Sequence, residues 1–409
     1  MKYSRCVLVI ILAVVCPAFA WGNEFRIVPS ISVQEAYNSN ILFSADDARQ
    51  DFITTVSPGL EMVNRTERLD TDMLFKFDRF DYARNSGLST TDQAYSGKLR
   101  YLVSPLFSIS AEAAYVRDSR PDRDVGTTGI VLTTAPRRRL ASSLSADYRL
   151  SEKAAVGVSY NYGRDHFGGL DYLNDESHDF GAGLVYDLGE YVPTLKGMVN
   201  AGYSYYRTSY LQLDSAITTV GFSRDINETW AVRVEGGVRR TWSKVALAWF
   251  TPVFDSSLGS PILLGYEQVK EQVRNNGWGW TGTVSLNYKG ERGDGSLAYS
   301  RDILPASGLD GAAERDSLTL SARYRLTYEL SLFLTSEYYA NKSDPSKFSA
   351  QVIDWQTFRI NPGVRYEFSK DSGIEAAYDY VKSDDQAAHL RADRQLFSVR
   401  FYTQHSFFE

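Results

Sequence analysis

Cysteine and long hydrophobic runs are nearly missing from this chain. Of its 409 residues only Cys6 and Cys16 are cysteines, and both lie within the first twenty residues. Beyond residue 20, no apolar run approaches the roughly 17 to 25 residues that a membrane-spanning helix needs. A chain cleaved near residue 20 would therefore have no thiol for a disulfide, for thiol catalysis or for a cysteine metal site.

The first twenty residues have the pattern of a secretory signal peptide. Two basic residues precede an unbroken apolar run at 6–15, and Ala18 and Ala20 supply the small side chains that a signal peptidase accepts. We expect residues 1–20 to be removed and residues 21–409 to form a single secreted domain.

An excess of positive charge is also missing. The chain has 44 Lys and Arg against 50 Asp and Glu, with a formal net charge of −6, which gives no support to a nucleic-acid partner. Proline is scarce at 12 residues, whereas 27 Tyr, 21 Phe and 7 Trp make the chain rich in aromatic side chains. A secreted chain of this kind is either a large soluble β-protein or a membrane β-barrel in which apolar and polar residues alternate.

The alternation of apolar and polar residues along the chain favours the membrane barrel. In one segment Leu140, Leu144 and Tyr148 share one face of a strand, while Arg139 and Arg149 share the other. The unit recurs along the chain in runs of about ten residues, the length that a tilted membrane strand requires and more than a sandwich strand usually has. We predict an all-β fold, a transmembrane antiparallel up-and-down β-barrel of about 18 strands, with 16 to 20 as the range.

Short and long links between these runs alternate. Short links such as 151–153 and 369–373 are separated by longer polar ones such as 118–128 and 163–174. This is typical of outer-membrane barrels, with short periplasmic turns and longer outer loops. The longest link is expected at Ser243–Asn276, either folded into the pore or placed outside it as an extracellular cap or partner surface.

The start of the secreted part resembles a known family. Val28–Ser32, Glu35–Ile41 and Thr54–Leu60 look like the opening of the outer-membrane β-barrel porins that are associated with bacterial exopolysaccharide gene clusters. That family usually has an acidic residue where this chain has Ser39. The resemblance implies a pore that exports an exopolysaccharide, with the polysaccharide and periplasmic export components as partners.

A secreted barrel of this type is expected in the cell outer membrane. Its other expected partners are outer-membrane lipid, lipopolysaccharide and the barrel assembly machinery, and no nucleic acid is expected. A general-diffusion or solute-uptake porin is the alternative function, and a structural barrel or adhesin is a weaker one. Neighbouring genes for glycosyltransferases and a chain-length regulator would favour export.

The residues predicted to face the lumen bear most directly on function. Guanidinium groups remain charged, so a row of them attracts carboxylate or sulfate groups. Ten arginines are predicted to face inward, with Lys98 beside them: Arg100, Arg139, Arg149, Arg233, Arg239, Arg323, Arg325, Arg359, Arg365 and Arg400. Either they favour an anionic substrate, or they pair with interior acids and solvate a wide lumen; the acids are Glu112, Asp147, Glu235, Glu337, Glu367 and Asp379.

Catalysis, a cofactor and a metal are not expected. His166, His178, His389 and His405 are scattered, and neither HExxH nor GxSxG occurs. The spacing of the interior acids does not establish the carboxylate pair that a glycosidase requires. The acidic strings at 46–47 and 122–124 lack an EF-hand pattern and are expected to be solvated.

Overall fold

The computed structural model describes residues 24–130, 134–169, 173–255, 262–305, 311–343, 349 and 352–407. The expected signal peptide at 1–20, with both cysteines, lies outside these residues. No helix in the described ranges is long and apolar enough to cross a membrane.

The chain is organised as eighteen strands. They are β1 (Glu24–Asn38), β2 (Asp51–Arg65), β3 (Leu69–Tyr82), β4 (Thr90–Ser104), β5 (Phe107–Asp118), β6 (Arg137–Arg149), β7 (Ala154–Phe167), β8 (Asp175–Asp187), β9 (Lys196–Arg207), β10 (Leu211–Asp225), β11 (Trp230–Asp255), β12 (Ile262–Lys289), β13 (Gly293–Pro305), β14 (Ala312–Arg325), β15 (Leu330–Ser343), β16 (Ile353–Ser369), β17 (Ser372–Asp385) and β18 (Leu390–Gln404). A 3₁₀ turn, Ser86–Leu88, and one helical turn, α1 (Val125–Thr128), lie in links.

The sheet closes on itself. Each strand pairs antiparallel with the next along the chain, and β1 pairs with β18 through Ser30–Asn38 and Leu396–Gln404. Closure leaves no sheet edge, so the strand backbones satisfy their hydrogen bonds within the barrel. The prediction of an up-and-down antiparallel barrel of about 18 strands is confirmed. The strands have 12 to 28 residues instead of about ten, because they continue beyond the length needed to span.

The outer surface is apolar around the ring. Mid-strand side chains on β6, β7, β11 and β18 are half exposed: Leu144 by 52%, Val158 by 57%, Val238 by 56% and Phe397 by 51%. Water would disfavour so much exposed apolar surface, whereas hydrocarbon would not. Exposed aromatics form a girdle around one end of this surface: Tyr101, Tyr148, Tyr186, Trp230, Tyr288, Tyr324, Tyr366 and Phe401. The alternation in the sequence therefore produces the exterior that a membrane barrel requires.

Links at the end with the girdle have two to four residues except 188–195, and we call this the short-link end. At the opposite, long-link end, the β5–β6 link at 119–136 is longer than the other links between these strands, the next being 39–50. This segment enters the lumen.

The expectation of a long link at Ser243–Asn276 is wrong. These residues continue β11 and β12, which stay paired from Trp230 with Tyr288 to Asp255 with Ile262. The sequence pattern did not indicate strands here because a two-stranded ribbon beyond the membrane no longer needs the regular apolar and polar alternation of the barrel wall. The connection itself, 256–261, lies outside the described residues.

The two faces of one strand should respond differently to charge. Leu144→Arg puts a guanidinium in the middle of the apolar exterior and should destabilise the barrel by about 2 to 4 kcal/mol, whereas the matched Ser145→Arg faces the lumen and should be tolerated. Unfolding in urea after reconstitution into vesicles, followed by heat-modifiable migration on gels, measures both. Equal loss of stability in the two variants would contradict the assignment of faces.

Candidate functional site: the lumen and the segment that crosses it

The crossing segment, Ser119–Pro136, leaves the wall at β5 and returns at β6. Its two ends lie together, because Ala135 N donates to Ser119 O over 3.2 Å. Within it, the Arg123 guanidinium donates to the carbonyls of Arg120 and Ala135 at 3.0 and 2.9 Å. These bonds tie the beginning of the segment to its end.

The far wall of the barrel holds the tip of this segment. Tyr339 Oη on β15 donates to Gly126 O at 2.9 Å, and Asn341 Nδ2 donates to Thr128 O at 2.9 Å. Thr357 on β16 donates through its hydroxyl to the carbonyl of Gly129. In a ring of eighteen, β15 and β16 lie far from β5 and β6, so the segment spans the lumen.

A chain of buried ion pairs reinforces this docking. Arg394 on β18 contacts both Asp122 of the segment and Asp379 on β17, and its side chain is only 4% exposed. Asp379 also accepts from Arg359 Nε at 2.6 Å, and Arg359 Nη1 lies 3.3 Å from Glu337. Charged side chains on four strands, β15 to β18, thus form one network with the crossing segment.

The near wall holds the base of the segment in the same way. Arg137 lies 2.6 Å from Asp118 and 2.7 Å from Asp124, while Arg139 lies 2.5 Å from Asp165 on β7. Asp124 is only 1% exposed. The cations on both walls therefore neutralise the acids of the segment.

The expectation that 122–124 is a solvated acidic string is wrong. Burial by itself would raise the pKa of Asp122, but the guanidinium groups of Arg120 and Arg394 outweigh it and hold that pKa well below its usual range. Asp122 remains a carboxylate at neutral pH for this reason. A pattern of acids interrupted by Arg120 and Arg123 was the only sequence signal of internal pairing.

Apolar clusters lie at the same level, and the first of them joins opposite walls. Ile130 of the segment packs with Phe167 on β7, Ala313 on β14 and Ile353 on β16. A second cluster joins Tyr206, Leu211 and Val245 to Ile303 and Ala312, and a third joins Phe43, Val125 and Val381. Side chains that an open lumen would leave wet are almost fully buried here, so the described part of the crossing segment packs against the walls at the long-link end.

The first link, which contains residues 39–41 of the family-like motif, supports this packing. Asn38 Oδ1 accepts from Asn40 N at 2.9 Å, and Asn40 Nδ2 donates to the carbonyls of Ser44 and Asp393. This turn places Phe43 against Arg394, with the guanidinium 5.5 Å from the ring centroid. Asn38 and Asn40 of the motif therefore stabilise the turn at the start of this link.

The ten predicted arginines all occupy the face opposite to the apolar exterior, and seven form ion pairs. Besides Arg139, Arg239 and Arg359, these are Arg233 with Glu235 at 2.8 Å, Arg323 with Asp294 at 3.2 Å, Arg365 with Glu375 at 2.7 Å and Arg400 with Glu375 at 3.0 Å. Lys98 lies 3.6 Å from Glu112. Pairing with interior acids thus accounts for most of the set.

Arg239 is the most enclosed of the ten. Its side chain is 1% exposed and reaches Asp302 at 3.1 Å and Glu314 at 2.8 Å. Gly279, opposite it, leaves the room, since an added Cβ would lie 2.7 Å from Arg239 Nη2. Replacing Arg239 would break a buried network, so it is a poor probe of the charge of the lumen.

Arg100, Arg149 and Arg325 differ from the other seven. They are exposed, lie toward the short-link end of β4, β6 and β14, and have no ion-pair partner among the residues that the structure describes. Arg325 lines a recess of about 600 Å³ at this end together with Arg323 and Arg365. The structure brings these three together, while Arg100 and Arg149 lie further around the wall.

The histidines do not converge. His178 Nδ1 lies 2.8 Å from Tyr160 Oη on the outer face, and His405 packs edge-on against Phe407. His166 lies in β7, and His389 lies in the β17–β18 link. Over the described ranges no group of three or more His, Cys, Asp or Glu is arranged to hold a metal.

Comparison with known proteins adds fold-level similarity. No protein-family model and no curated protein matches the chain. Among solved structures, OccAB4 of Acinetobacter baumannii is 10% identical, with a TM-score of 0.47 over 96% of this chain and 100% of that one. The ferric-catecholate import receptor Fiu of E. coli K12, in its open form, is 8% identical, with a TM-score of 0.48 over 93% and 82% of the two chains. These values are too low to transfer the function of either protein.

Gly129 tests whether the crossing segment closes the lumen. Its φ is +69°, and an added Cβ would lie 2.4 Å from Tyr339 Cβ, so Gly129→Ala should weaken docking by about 1 to 3 kcal/mol. The undocked population should rise about tenfold. Single-channel recording in planar bilayers should show longer and more frequent open states.

Gly87→Ala is the matched control, because this glycine lies in another link at the same end and an added Cβ would meet nothing within 4 Å. It should conduct like the wild type. If Gly129→Ala also matches the wild type, the segment does not limit conduction.

Proposed function

We propose that this protein is an outer-membrane pore with a closable lumen that exports an exopolysaccharide with anionic groups. The observation that carries the proposal is the combination of a closed 18-strand wall with a link docked across its lumen by side-chain contacts. A barrel of 16 to 18 strands is wide enough to leave an aqueous channel. The short-link end faces the periplasm and the long-link end faces outward, as in other bacterial barrels.

The manner of docking favours a gated conduit over a general-diffusion porin. In its described residues, the crossing segment is held by ion pairs, hydrogen bonds to carbonyls and small apolar clusters, and not by strand pairing with the far wall. Such contacts can be released together without opening the barrel, whereas a diffusion porin needs a lumen that stays open. Release of the segment is the step that would admit a polymer.

The proposal that the substrate is anionic comes from the short-link end of the lumen, which we call the periplasmic mouth. Three arginines lie there without a carboxylate partner in the described part of the chain, and guanidinium groups bind planar anions such as carboxylates well. Residues 28–41 and 54–60 resemble porins linked to exopolysaccharide gene clusters, which supports a polysaccharide as the substrate.

Removing the three unpaired charges should change ion selectivity. Arg100→Gln, Arg149→Gln and Arg325→Gln combined retain most of the side-chain bulk, so they isolate charge from width. In low salt, where screening is weak, the wild type should prefer anions and the triple variant should lose most of that preference. The reversal potential across a salt gradient measures it.

Arg68→Gln is the control for this experiment, since Arg68 lies in the β2–β3 turn at the same end and outside the strands. It should leave the reversal potential unchanged. A cation-selective wild type, or a triple variant equal to the wild type, would mean that the arginines only balance interior acids.

An anionic polysaccharide should enter from the short-link side. Polyuronate oligomers added there should interrupt the current of the open Gly129→Ala pore, and neutral dextran oligomers of equal length should do so less. The triple arginine variant should need about tenfold more polyuronate for the same effect, which corresponds to roughly 1.4 kcal/mol. Equal interruption by dextran and polyuronate would rule out selection by charge and favour an unselective pore.

A further inference from the structure

Two aromatic rings lie on the inner face of the wall toward the short-link end, whereas most aromatic side chains of the strands face outward. Phe333 on β15 follows Leu332, which is exposed on the outer face. Tyr402 on β18 follows Phe401, which is exposed on the outer face in the same way. Neighbouring residues of a strand point in opposite directions, so Phe333 and Tyr402 face the lumen. We call these two side chains the lumen rings.

Phe333 lies flat against the wall, over a glycine. Gly363 on β16 is directly opposite it. A Cβ added to Gly363 would lie 2.6 and 2.7 Å from the two Cε atoms of the ring and closer still to its Cζ. A point beyond the edge of the ring at Cζ would be further from both Cε atoms, so the added Cβ would meet the face. One face of Phe333 therefore packs on the backbone of Gly363, and the other face is turned to the lumen.

Tyr402 is placed in a similar way. Gly373 on β17 is directly opposite it, and an added Cβ would lie 2.7 Å from Cζ of Tyr402 and closer to its hydroxyl oxygen. The ring thus leans along the wall and covers Gly373 instead of projecting into the lumen, an arrangement by which aromatic side chains stabilise strand glycines. Each lumen ring is held in one orientation before a ligand arrives, so a ligand would lose little free energy in ordering it.

A cluster of charges lies between the lumen rings. In the register of β16 and β17, Arg365 is opposite Glu375, two residues along from Gly363 and two residues along from Gly373. Arg365 donates to Glu375 Oε2 from Nε at 3.0 Å and from Nη2 at 2.7 Å, and Arg400 Nη2 on β18 donates to Glu375 Oε1 at 3.0 Å. The two glycines are offset by four residues, which corresponds to about 13 Å along the strands.

The two arginines retain donors that Glu375 does not use. Arg365 Nη1 and Arg400 Nη1 have no acceptor among the residues that the structure describes. Their guanidinium carbons lie 5.8 and 5.9 Å from the ring centroid of Tyr402. An aromatic face with donors beside it suits a pyranose, because the C–H groups of the sugar pack on the face while its hydroxyl or carboxylate oxygens accept hydrogen bonds.

The same wall holds the tip of the crossing segment further along the barrel. Tyr339 on β15 and Thr357 on β16 bind that tip. Phe333 and Gly363 lie six residues nearer the short-link end, on the same two strands and the same face. A chain that enters at the short-link end and follows this wall therefore passes both lumen rings before it reaches the contacts of the crossing segment.

We propose that the lumen rings bind pyranose residues of a polysaccharide, with one sugar packed on each ring. The inference rests on the proposed function and names a part of the wall that the polymer contacts. It adds a contribution that does not depend on charge, since the arginines of the mouth attract carboxylates and the rings recognise the sugar ring itself. Two weak contacts in series hold a polymer without stopping its movement, as successive weak sites do in other pores.

The test measures binding of polyuronate oligomers to the folded, full-length barrel in detergent by isothermal titration calorimetry. Phe333→Leu and Tyr402→Leu each remove an aromatic face and retain an apolar side chain, so each should weaken binding about fivefold. Tyr402→Phe keeps the face and should bind like the wild type. The fivefold loss should be the same in low and high salt, whereas the loss in the triple arginine variant should shrink as salt screens the charges.

Phe401→Leu is the matched control, because this ring is next to Tyr402 on the same strand and faces outward. It should retain wild-type binding, and heat-modifiable migration confirms that each variant is folded. Unchanged binding in both lumen-ring variants, or equal weakening in the control, would overturn the proposal. Channel recordings separate it from the pore: a barrel that conducts but binds without the rings has lost only the sugar site, and one that binds through the rings without conducting has lost only the pore.

Discussion

Closure of the sheet between β1 and β18 is the constraint on which the other features depend. A strand in hydrocarbon cannot leave its N–H and C=O groups unpaired, because no water is present to bind them. The eighteenth strand must therefore return to the first, as the pairing of Ser30–Asn38 with Leu396–Gln404 shows. Closure forces one face of every strand outward and the other inward, which sorts apolar and charged residues between lipid and lumen. It also creates a cavity that strand side chains alone do not fill.

The β5–β6 link fills part of that cavity and depends on paired charge to do so. Asp122 and Asp124 enter a poorly hydrated space only because guanidinium groups of both walls meet them there. Breaking a buried pair by removing one partner is strongly destabilising, yet an intact pair contributes little over an apolar contact. Such a link is held in one place with a modest total free energy. That is the property that a movable closure requires, and it leaves the wall of the barrel unaffected.

The strand count, the alternation of short and long links and the inward face of all ten arginines could be predicted from periodicity. Alternation with period two reports directly which residues share a face, since neighbouring side chains in a strand point in opposite directions. The same reasoning failed at Ser243–Asn276, where the strands leave the membrane and lose the pattern that the bilayer imposes. It also failed at 118–128, where a polar link looks the same whether it meets water or a wall of arginines.

The sequence by itself therefore determined the class of fold, the approximate number of strands and the faces of their side chains, because each of these follows from local patterns under one uniform constraint. Only the tertiary structure decided which link crosses the lumen and which arginines lack a carboxylate partner within the described part of the chain. Arg394 meets Asp122 across 272 positions of the chain, and no local pattern records such a contact. Pairing of charges is a property of distance in space, and in a closed barrel that distance depends on strand register and on the path of the links.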